Sequence, residues 1–264
     1  MPPLKITVAT VTYNAAALIE RTIASVESQD YPYVEHVIVD GNSQDDTLAA
    51  VHHYQERNSL AKVPHEVACL SEPDHGLYDA MNKALDMATG DYIVFLNAGD
   101  TLHDAATLSK IAATAENCRE ADGGRLPAVV YGHTHLVDAE GRYIAPRRLT
   151  PPKKLTWRSF RQGMLVCHQA FYARTDLARA TKYDLRYRFS ADFDWCIRLM
   201  RRAGREGLHN ADAGDVVADY LSEGMTTRHH KASLGERFRI MCRHYGVVST
   251  IAMHLWFCLR AIVK

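Results

Sequence analysis

The sequence predicts an α/β protein built on a mainly parallel central sheet with helices on both faces. Short runs rich in β-branched residues alternate with longer segments whose apolar residues recur at helical spacing, and polar turns separate them. Strands that alternate with helices form parallel sheets, because each crossover helix packs back onto a face of the sheet. The length of 264 residues is enough for one large domain of this class with an appendage.

The first half of the chain carries the clearest alternation. Residues 6–11 are short and β-branched, which predicts a buried strand, and residues 15–28 follow as a helix that Asn14 caps. The later elements predicted in this half are a strand at 34–39, a helix at 46–57, a strand at 67–70, a helix at 75–87 and a strand at 92–96.

The second half is less regular, and its predicted elements are shorter. They are a helix at 105–121, short strands at 129–131, 135–137 and 171–174, and a helix at 192–202. Residues 146–163 contain six Lys or Arg and no acid, which predicts a basic loop over the ligand crevice.

Polar side chains follow three of the predicted strands at their carboxyl ends. Asp40 ends one strand, Glu72 and Asp74 follow the next, and Asn97 and Asp100 follow the fourth. Ligands of open α/β sheets bind in the crevice beyond the carboxyl ends of the strands. We therefore expect these loops to converge on one ligand-binding crevice.

Composition and missing motifs exclude several classes of protein. The formal net charge is zero, so attraction to nucleic acid is not indicated. No G-x-G-x-x-G follows the first strand, and the chain has neither a P-loop nor a G-x-S-x-G elbow. The first strand ends without glycine, so a phosphate group has to be met by a metal or by basic side chains. The six cysteines are scattered and no secretory leader is evident, which predicts reduced thiols and a cytoplasmic location.

Four segments resemble, in chain order, motifs of the family 2 glycosyltransferases. The likeness is greatest to bacterial polysaccharide-assembly members such as the colanic-acid type. The four segments are 6–14, 37–47, 71–83 and 92–100, and a thinner likeness continues through 167–170 and 190–195. The resemblance implies a GT-A fold over 1–224 and inverting transfer of a sugar from a nucleoside diphosphate sugar. It also implies Mn²⁺ or Mg²⁺ as cofactor, and a saccharide or lipid-linked saccharide as acceptor, in cell-surface polysaccharide assembly.

The resemblance also assigns roles to single residues. Asp192 corresponds to the catalytic base, Asp100 to a metal ligand, and Asp40 and Asp74 to acids that bind the nucleoside. The remaining positions that it places on the nucleotide sugar are Thr12, Tyr13, Asn14, Asn42, Glu72, Lys83, Asn97, Ala98 and Gly99. Structural alternatives stay open at this point, since Asp40 suits a turn, and Asp74 and Asp192 each suit a helix N-cap.

Three residues are predicted on the acceptor or sugar side, and one late residue is a further metal candidate. His168 and Gln169 are two of these three residues, and a purely structural role for His168 is the alternative. Trp195 suits stacking on a sugar or packing in the core. His229 is the further candidate ligand for the metal or the diphosphate.

The sequence departs from the family pattern at two places. Residues 97–100 read Asn-Ala-Gly-Asp where relatives carry a D-x-D-type motif, so only Asp100 keeps a carboxylate. Ala191 replaces an acid before Asp192, which removes a charge that would raise the pKa of the base. Two other functions remain open: a non-catalytic nucleotide-sugar-binding protein, and a sugar nucleotidyltransferase, whose glycine-rich phosphate loop is missing here.

Residues 225–264 predict a basic amphipathic helical extension. They contain seven Lys or Arg against one acid, and their apolar residues recur at spacings of three and four. Such a helix suits the anionic inner face of a cytoplasmic membrane. Docking on the same domain or on a partner subunit is the alternative, and Gly246 is expected to divide the extension into two helices.

Overall fold

Nine strands form one sheet in the computed structural model, which describes residues 2–222 and 230–262. Their order across the sheet is β3-β2-β1-β4-β8-β6-β9-β5, and β7 pairs with β6 at the side. The strands are β1 (Ile6–Thr12), β2 (Val34–Asp40), β3 (Glu66–Ser71), β4 (Tyr92–Phe95), β5 (Thr101–Leu102), β6 (Val129–Val137), β7 (Tyr143–Pro146), β8 (Phe171–Arg174) and β9 (Asn210–Leu221).

Helices cover both faces of the sheet, as the sequence predicts. The described helices are α1 (Ala16–Glu27), α2 (Thr47–Ser59), α3 (Leu77–Met87), α4 (Thr107–Ala121), α5 (Thr175–Arg179), α6 (Ala191–Arg205), α7 (His230–Tyr245) and α8 (Val247–Ile262). Ile19 and Ile23 of α1 and Val51 and Tyr54 of α2 pack with Ile38 on one face. Helix α3 packs on β1 and β2 from the other face.

The amino-terminal half of the sheet is parallel throughout. β1 lies between β2 and β4, β3 pairs with β2, and all three pairings are parallel. Every residue of β1 and β2 is buried, which explains why these strands are continuous apolar runs without polar alternation. The predicted fold class is confirmed, and the crevice lies where these strands end.

The carboxyl-terminal half is mixed, and it differs from the prediction at four strands: β6 is longer than predicted, and β5, β7 and β9 were not predicted. β6 is one nine-residue strand and not two short ones. Its register against β9 shifts between Tyr131 and His133, where a Cβ on Gly132 would lie 2.7 Å from the carbonyl oxygen of Asp215. The residues at this irregularity interrupt the apolar run of β6, and the sequence therefore predicted two short strands. The prediction missed β9, because its residues are small or acidic and show no clean alternation.

The predicted cap of the first helix is wrong. Asn14 has a φ of +46°, and its side-chain oxygen accepts a hydrogen bond from the Gln44 amide at 2.8 Å. The start of α1 is instead held from the next loop, since Ala15 N–H donates to Thr47 Oγ1 at 2.9 Å and Ala16 N–H to Asp45 at 3.1 Å. The loops after β1 and β2 are therefore tied to each other at the edge of the crevice.

The carboxyl-terminal extension divides at Gly246, which has a φ of +85°. Helix α7 docks on the domain, since Glu236 accepts hydrogen bonds from the amides of Arg188 and Phe189 at 2.8 Å each. The single apolar stripe is split, because Ile240 of α7 is buried while much of α8 is exposed. The predicted boundary at residue 224 lies outside the described residues. None of the helices seen in 2–222 and 230–262 has the length and apolar character needed to cross a membrane.

We expect Thr47→Val to lower the free energy of unfolding by about 1–2 kcal/mol, because the half-buried Ala15 amide loses its acceptor. Urea unfolding followed by circular dichroism measures this change. Thr114→Val is the matched control, since the Thr114 hydroxyl donates to the Lys110 carbonyl oxygen, which lies in the same helix, at 2.8 Å. Equal effects of the two substitutions would contradict the capping role of Thr47.

Candidate active site

The loops that follow β1, β2 and β3 meet at the carboxyl edge of the sheet around Gly41. A Cβ at Gly41 would lie 2.6 Å from Asp74 Oδ2 and 3.3 Å from the Tyr13 ring, so only glycine allows this approach. Tyr13 is 62% exposed. The structure therefore brings an exposed aromatic ring and a carboxylate together at one rim of the crevice.

Two predicted acids of this rim are held by local contacts. Asp74 accepts a hydrogen bond from Gly76 N–H at 2.7 Å, and α3 begins only at Leu77, so Asp74 is not the helix N-cap. Asp40 is fully buried, and it accepts hydrogen bonds from the Ser43 amide at 2.9 Å and the Ser71 hydroxyl at 2.7 Å. The observed role of Asp40 is the turn-forming alternative, and its contact with a nucleoside stays a prediction.

The other predicted residues of the nucleotide side frame this rim. Glu72 and Lys83 form an ion pair at 2.8 Å, and Lys83 also donates to the Pro73 carbonyl oxygen at 2.8 Å, which holds the loop before α3. Thr12 is buried at the end of β1, whereas Asn14 and Asn42 are exposed with left-handed backbones.

Asp192 lies at the centre of a second group of side chains. It is the second residue of α6 and does not cap it; the N-cap position belongs to Ser190. Tyr78 O–H donates to Asp192 Oδ1 at 3.1 Å, and His168 Nδ1 lies 3.4 Å from Asp192 Oδ2. The amide of Asn97 lies 3.2 Å from His168 Nε2, so a donating Asn97 leaves the imidazole proton on the side of Asp192.

Asp100 is connected to this group through one neighbouring residue. Its carboxylate accepts hydrogen bonds from Gln169 Nε2 at 2.7 Å and from Leu221 N–H at 2.9 Å. His168 and Gln169 are consecutive residues of a short 3₁₀ helix. The structure therefore brings Asp100 and Asp192 to one place, as predicted, while Asp40 lies within its own turn.

The two acids have opposite pKa shifts. Burial raises the pKa of Asp100 to about 6, against the lowering effect of its hydrogen bonds to Leu221 and Gln169. Burial also acts to raise the pKa of Asp192, but the hydrogen bond with His168 and the charge of Arg237 outweigh it. The net pKa of Asp192 lies below the ordinary value, so this carboxylate is ionised at neutral pH.

A cavity of about 300 Å³ opens onto Asp192 and His168. We call it the Asp192 cavity, and its lining residues are Arg147, Met164, Cys167, His168, Gln169, Asp192, Tyr220, Ser233, Leu234 and Arg237. A larger cavity of about 730 Å³ lies at the opposite edge of the sheet around Gly90 and Asp176, away from the carboxyl ends of the parallel strands.

Four residues of this region were not predicted as site residues. Tyr78 lies within a recognised segment, but only the tertiary fold brings its hydroxyl to Asp192 of α6. Arg147 and Tyr220 reach the cavity from the basic loop and from the unpredicted strand β9. Arg237 belongs to the basic extension, and its Nε is buried without a partner among the described residues.

The donor atoms around Asp100 suit a hard divalent cation. Mg²⁺ and Mn²⁺ favour oxygen ligands, and one protein carboxylate with substrate phosphates is a common set for Mg²⁺. Two amide oxygens of this region, Asn97 Oδ1 and Gln169 Oε1, are buried without hydrogen-bond partners among the described residues. His229 lies outside the described residues.

One predicted contact with the ligand is wrong. Trp195 is fully buried and packs against Phe95, Phe171 and Tyr183, so the core-packing alternative holds and the ring is closed to a sugar. Ala98 is partly buried against the apolar cluster of α1 and α2, and its contact with the nucleotide sugar stays a prediction.

Gly99 shows why the metal motif departs from D-x-D. It has a φ of +100°, and its amide donates to Thr22 Oγ1 at 2.8 Å. This left-handed backbone favours glycine and disfavours an acid at the same position.

Comparisons of sequence agree with this geometry. The family model Glycosyl transferase family 2 matches residues 7–179. A PGL/p-HBAD biosynthesis glycosyltransferase of Mycobacterium bovis is 33% identical over 188 residues, covering 71% of this chain and 66% of the relative. The amylovoran biosynthesis glycosyltransferase AmsB of Erwinia amylovora is 27% identical over 229 residues, covering 85% of this chain and 71% of the relative.

Solved structures share the fold at low sequence identity. S. aureus TarS 1–349 in complex with UDP-GlcNAc has a TM-score of 0.69 and 17% identity, covering 96% of this chain and 73% of that chain. The mannosyltransferase PcManGT of Pyrobaculum calidifontis, in complex with GDP-Man and Mn²⁺, has a TM-score of 0.63 and 20% identity. The match covers 97% of this chain and 71% of that chain. The chain belongs to glycosyl transferase family 2 and has the GT-A fold.

We expect Asp100→Asn to stabilise the protein at neutral pH. The folded pKa of about 6 lies above the ordinary value of 3.8, so the folded state holds more protons between these values and its stability falls as pH rises through them. The ionised, buried carboxylate lowers the free energy of unfolding by roughly 2–3 kcal/mol at neutral pH, and the substitution removes this cost. The amide oxygen of the new Asn side chain can still accept the hydrogen bond from Leu221 N–H.

Urea unfolding in EDTA measures the difference between wild type and Asp100→Asn. The gain should be present near about pH 7.5 and should largely vanish near about pH 3, where both states hold the proton. A loss of stability of the same size at both pH values would show that burial of the charge is not what raises the pKa of Asp100.

Proposed function

We propose that this member of glycosyl transferase family 2 transfers a sugar from a nucleoside diphosphate sugar to a saccharide or lipid-linked saccharide, with inversion. The cellular role we propose is assembly of a cell-surface polysaccharide. The observation that carries the proposal is the ionised carboxylate of Asp192, held by Tyr78 and His168 at a cavity that two arginines line.

Asp192 is the general base in this proposal. Its two oxygens are oriented by Tyr78 and His168, so a remaining lone pair is available for the hydroxyl of the acceptor. The carboxylate takes the hydroxyl proton, the oxygen attacks the anomeric carbon, and the bond from that carbon to the diphosphate oxygen breaks. One displacement inverts the anomeric centre and needs no covalent intermediate.

Arg147 and Arg237 supply positive charge for the leaving diphosphate. Both line the Asp192 cavity, and the buried Arg237 Nε has no partner among the described residues, so a phosphate oxygen would complete its hydrogen bonding. A bound Mn²⁺ or Mg²⁺ would neutralise further charge on the diphosphate. Asp100 is the residue that would hold it, with amide oxygens of Asn97 and Gln169 as neutral donors.

The rim around Gly41 is the proposed nucleoside site. The exposed Tyr13 ring offers a stacking face for a base, and the carboxylate of Asp74 beside it offers an acceptor for ribose or base hydrogens. The fold relatives in complex with UDP-GlcNAc and with GDP-Man support a nucleoside diphosphate sugar as the class of donor.

Helix α8 is the proposed contact with the membrane. Its exposed apolar residues are Val247, Val248, Ile251, Leu255, Trp256 and Leu259. Arg158 and Arg161 line a cavity together with Trp256, so positive charge lies directly beside this face. An apolar face bordered by arginines fits the surface of an anionic bilayer, which would place a lipid-linked acceptor near the cavity.

We expect Asp192→Asn to lower turnover by about 10²–10⁴-fold, because the amide cannot accept the proton, while the affinity for the donor is kept. The assay measures nucleoside diphosphate released from a panel of nucleotide sugars with a membrane extract as acceptor source. Titration calorimetry with the selected donor measures binding. Normal turnover by Asp192→Asn would overturn the assignment.

Controls in the same assay separate the alternatives. Asp176→Asn, in the cavity at the opposite edge, should leave turnover unchanged. A nucleotidyltransferase would release pyrophosphate from a nucleoside triphosphate and a sugar phosphate. A non-catalytic binder would show donor binding without release of nucleoside diphosphate in the wild type.

We expect the double substitution Ile251→Glu and Leu255→Glu to reduce binding to vesicles that contain anionic lipid, because charge replaces the apolar face. Co-sedimentation measures the bound fraction. The control pair is Leu60→Glu and Val63→Glu, since these residues are 87% and 59% exposed and lie outside α8. Equal loss in both pairs would contradict docking through α8.

A further inference from the structure

Three potential metal ligands converge on one point of the sheet, apart from the Asp192 cavity. His103 Nδ1 lies 2.9 Å from Asp219 Oδ1, and His135 Nδ1 lies 3.8 Å from the same oxygen. All three ligating atoms lie within 4.8 Å of one another, and no other such group of His, Cys, Asp and Glu occurs among the described residues.

The register of the sheet fixes this group. His135 of β6 and Asp219 of β9 are directly paired, and Asp219 is also paired with Thr101 of β5, two residues before His103. Three strands therefore each supply or position one ligand, so the group does not depend on the conformation of a long loop.

The group lies on the opposite face of β9 from the Asp192 cavity. Tyr220 lines that cavity, and successive side chains of a strand point to opposite faces. The same alternation holds in β6, where Thr134 contacts Cys167 of the cavity lining at 3.0 Å and His135 is the next residue. A ligand of this group is thus separate from the diphosphate and its cation.

A hydrogen bond explains only part of the arrangement. It accounts for His103 and Asp219, but His135 also directs its Nδ1 at the same oxygen from 3.8 Å, which is beyond hydrogen-bonding distance. Ligands on a tetrahedral zinc ion lie roughly 3.3 Å apart, given bonds of about 2.0–2.1 Å. The distances from Asp219 Oδ1 to the two histidine nitrogens, 2.9 Å and 3.8 Å, lie on either side of that value.

We propose that His103, His135 and Asp219 form a second metal site, of the zinc class, on the face of β6 and β9 opposite the Asp192 cavity. Two imidazoles and one carboxylate favour Zn²⁺ and similar transition ions over Mg²⁺. The side chains are 30%, 26% and 19% exposed, so an ion can enter and one coordination position stays open. Tyr143, whose ring centre lies 4.7 Å from that of His135, covers one side.

The ion would join the backbone segments that hold Asp100. His103 is three residues after Asp100, and Asp219 is two residues before Leu221, whose amide donates to the Asp100 carboxylate. Metal binding at this site is therefore expected to stabilise the edge formed by β5 and β9, with no role in the chemical step.

Zinc binding by the full chain without an affinity tag tests the proposal. After removal of metals with EDTA, we expect native mass spectrometry to show one Zn²⁺ per chain, and calorimetry to give its affinity. His103→Gln, His135→Gln and Asp219→Asn should each weaken zinc binding by more than about tenfold. Changes to residues that only support a metal ligand already lower metal affinity by at least about that factor, so the loss of a ligand should cost more. Zinc should raise the unfolding temperature of the wild type and not that of these variants.

Two controls locate the ion. His133→Gln removes a histidine from the same strand, outside the group, and should keep the zinc. Asp100→Asn should also keep it, because the ion does not occupy the crevice. A wild type that takes up no zinc, or zinc that is lost in Asp100→Asn and kept in His135→Gln, would overturn the proposal. Circular dichroism without metal checks that each variant is folded.

Discussion

The hydrogen bond from Gln169 to the buried carboxylate of Asp100 is the contact on which the arrangement of the site depends. Gln169 is adjacent to His168, and the two side chains reach Asp100 and Asp192 respectively. One short 3₁₀ helix thereby sets the relative positions of two acids that are far apart in the chain. Tyr78 completes the arrangement from α3, so elements from both halves of the sheet hold Asp192.

The same contact comes with an energetic cost. Asp100 is 3% exposed, and two hydrogen bonds do not compensate the burial of its charge, which is why its pKa rises. The buried amide oxygens of Asn97 and Gln169 also have no protein partners among the described residues. Uncompensated polar groups persist where a ligand completes them, and under our proposal that ligand is the diphosphate with its cation.

The carboxyl-terminal helices connect the cavity to the proposed membrane face. Arg237 of α7 lines the Asp192 cavity, and α8, beyond Gly246, exposes the apolar face. Helix α7 is fixed to the domain by Glu236 and by Tyr245, whose ring stacks on Trp157. Helix α7 thus contributes to the site, and under our proposal α8 is the element that contacts the membrane.

The sequence by itself determined the parallel half of the fold and the acids at its edge. Strands such as β1 are buried on both faces, so a local apolar run is sufficient to predict them, and their carboxyl ends locate Asp74 and Asp100. Asp192 and His168 were likewise found from short motifs.

The tertiary structure alone decided features that depend on distant partners. Thr47 and not Asn14 caps α1, Trp195 is enclosed by three aromatic rings, and Arg237 turns into the cavity. These outcomes, like the meeting of His103, His135 and Asp219, follow from strand register and helix packing, which join residues that no local pattern relates.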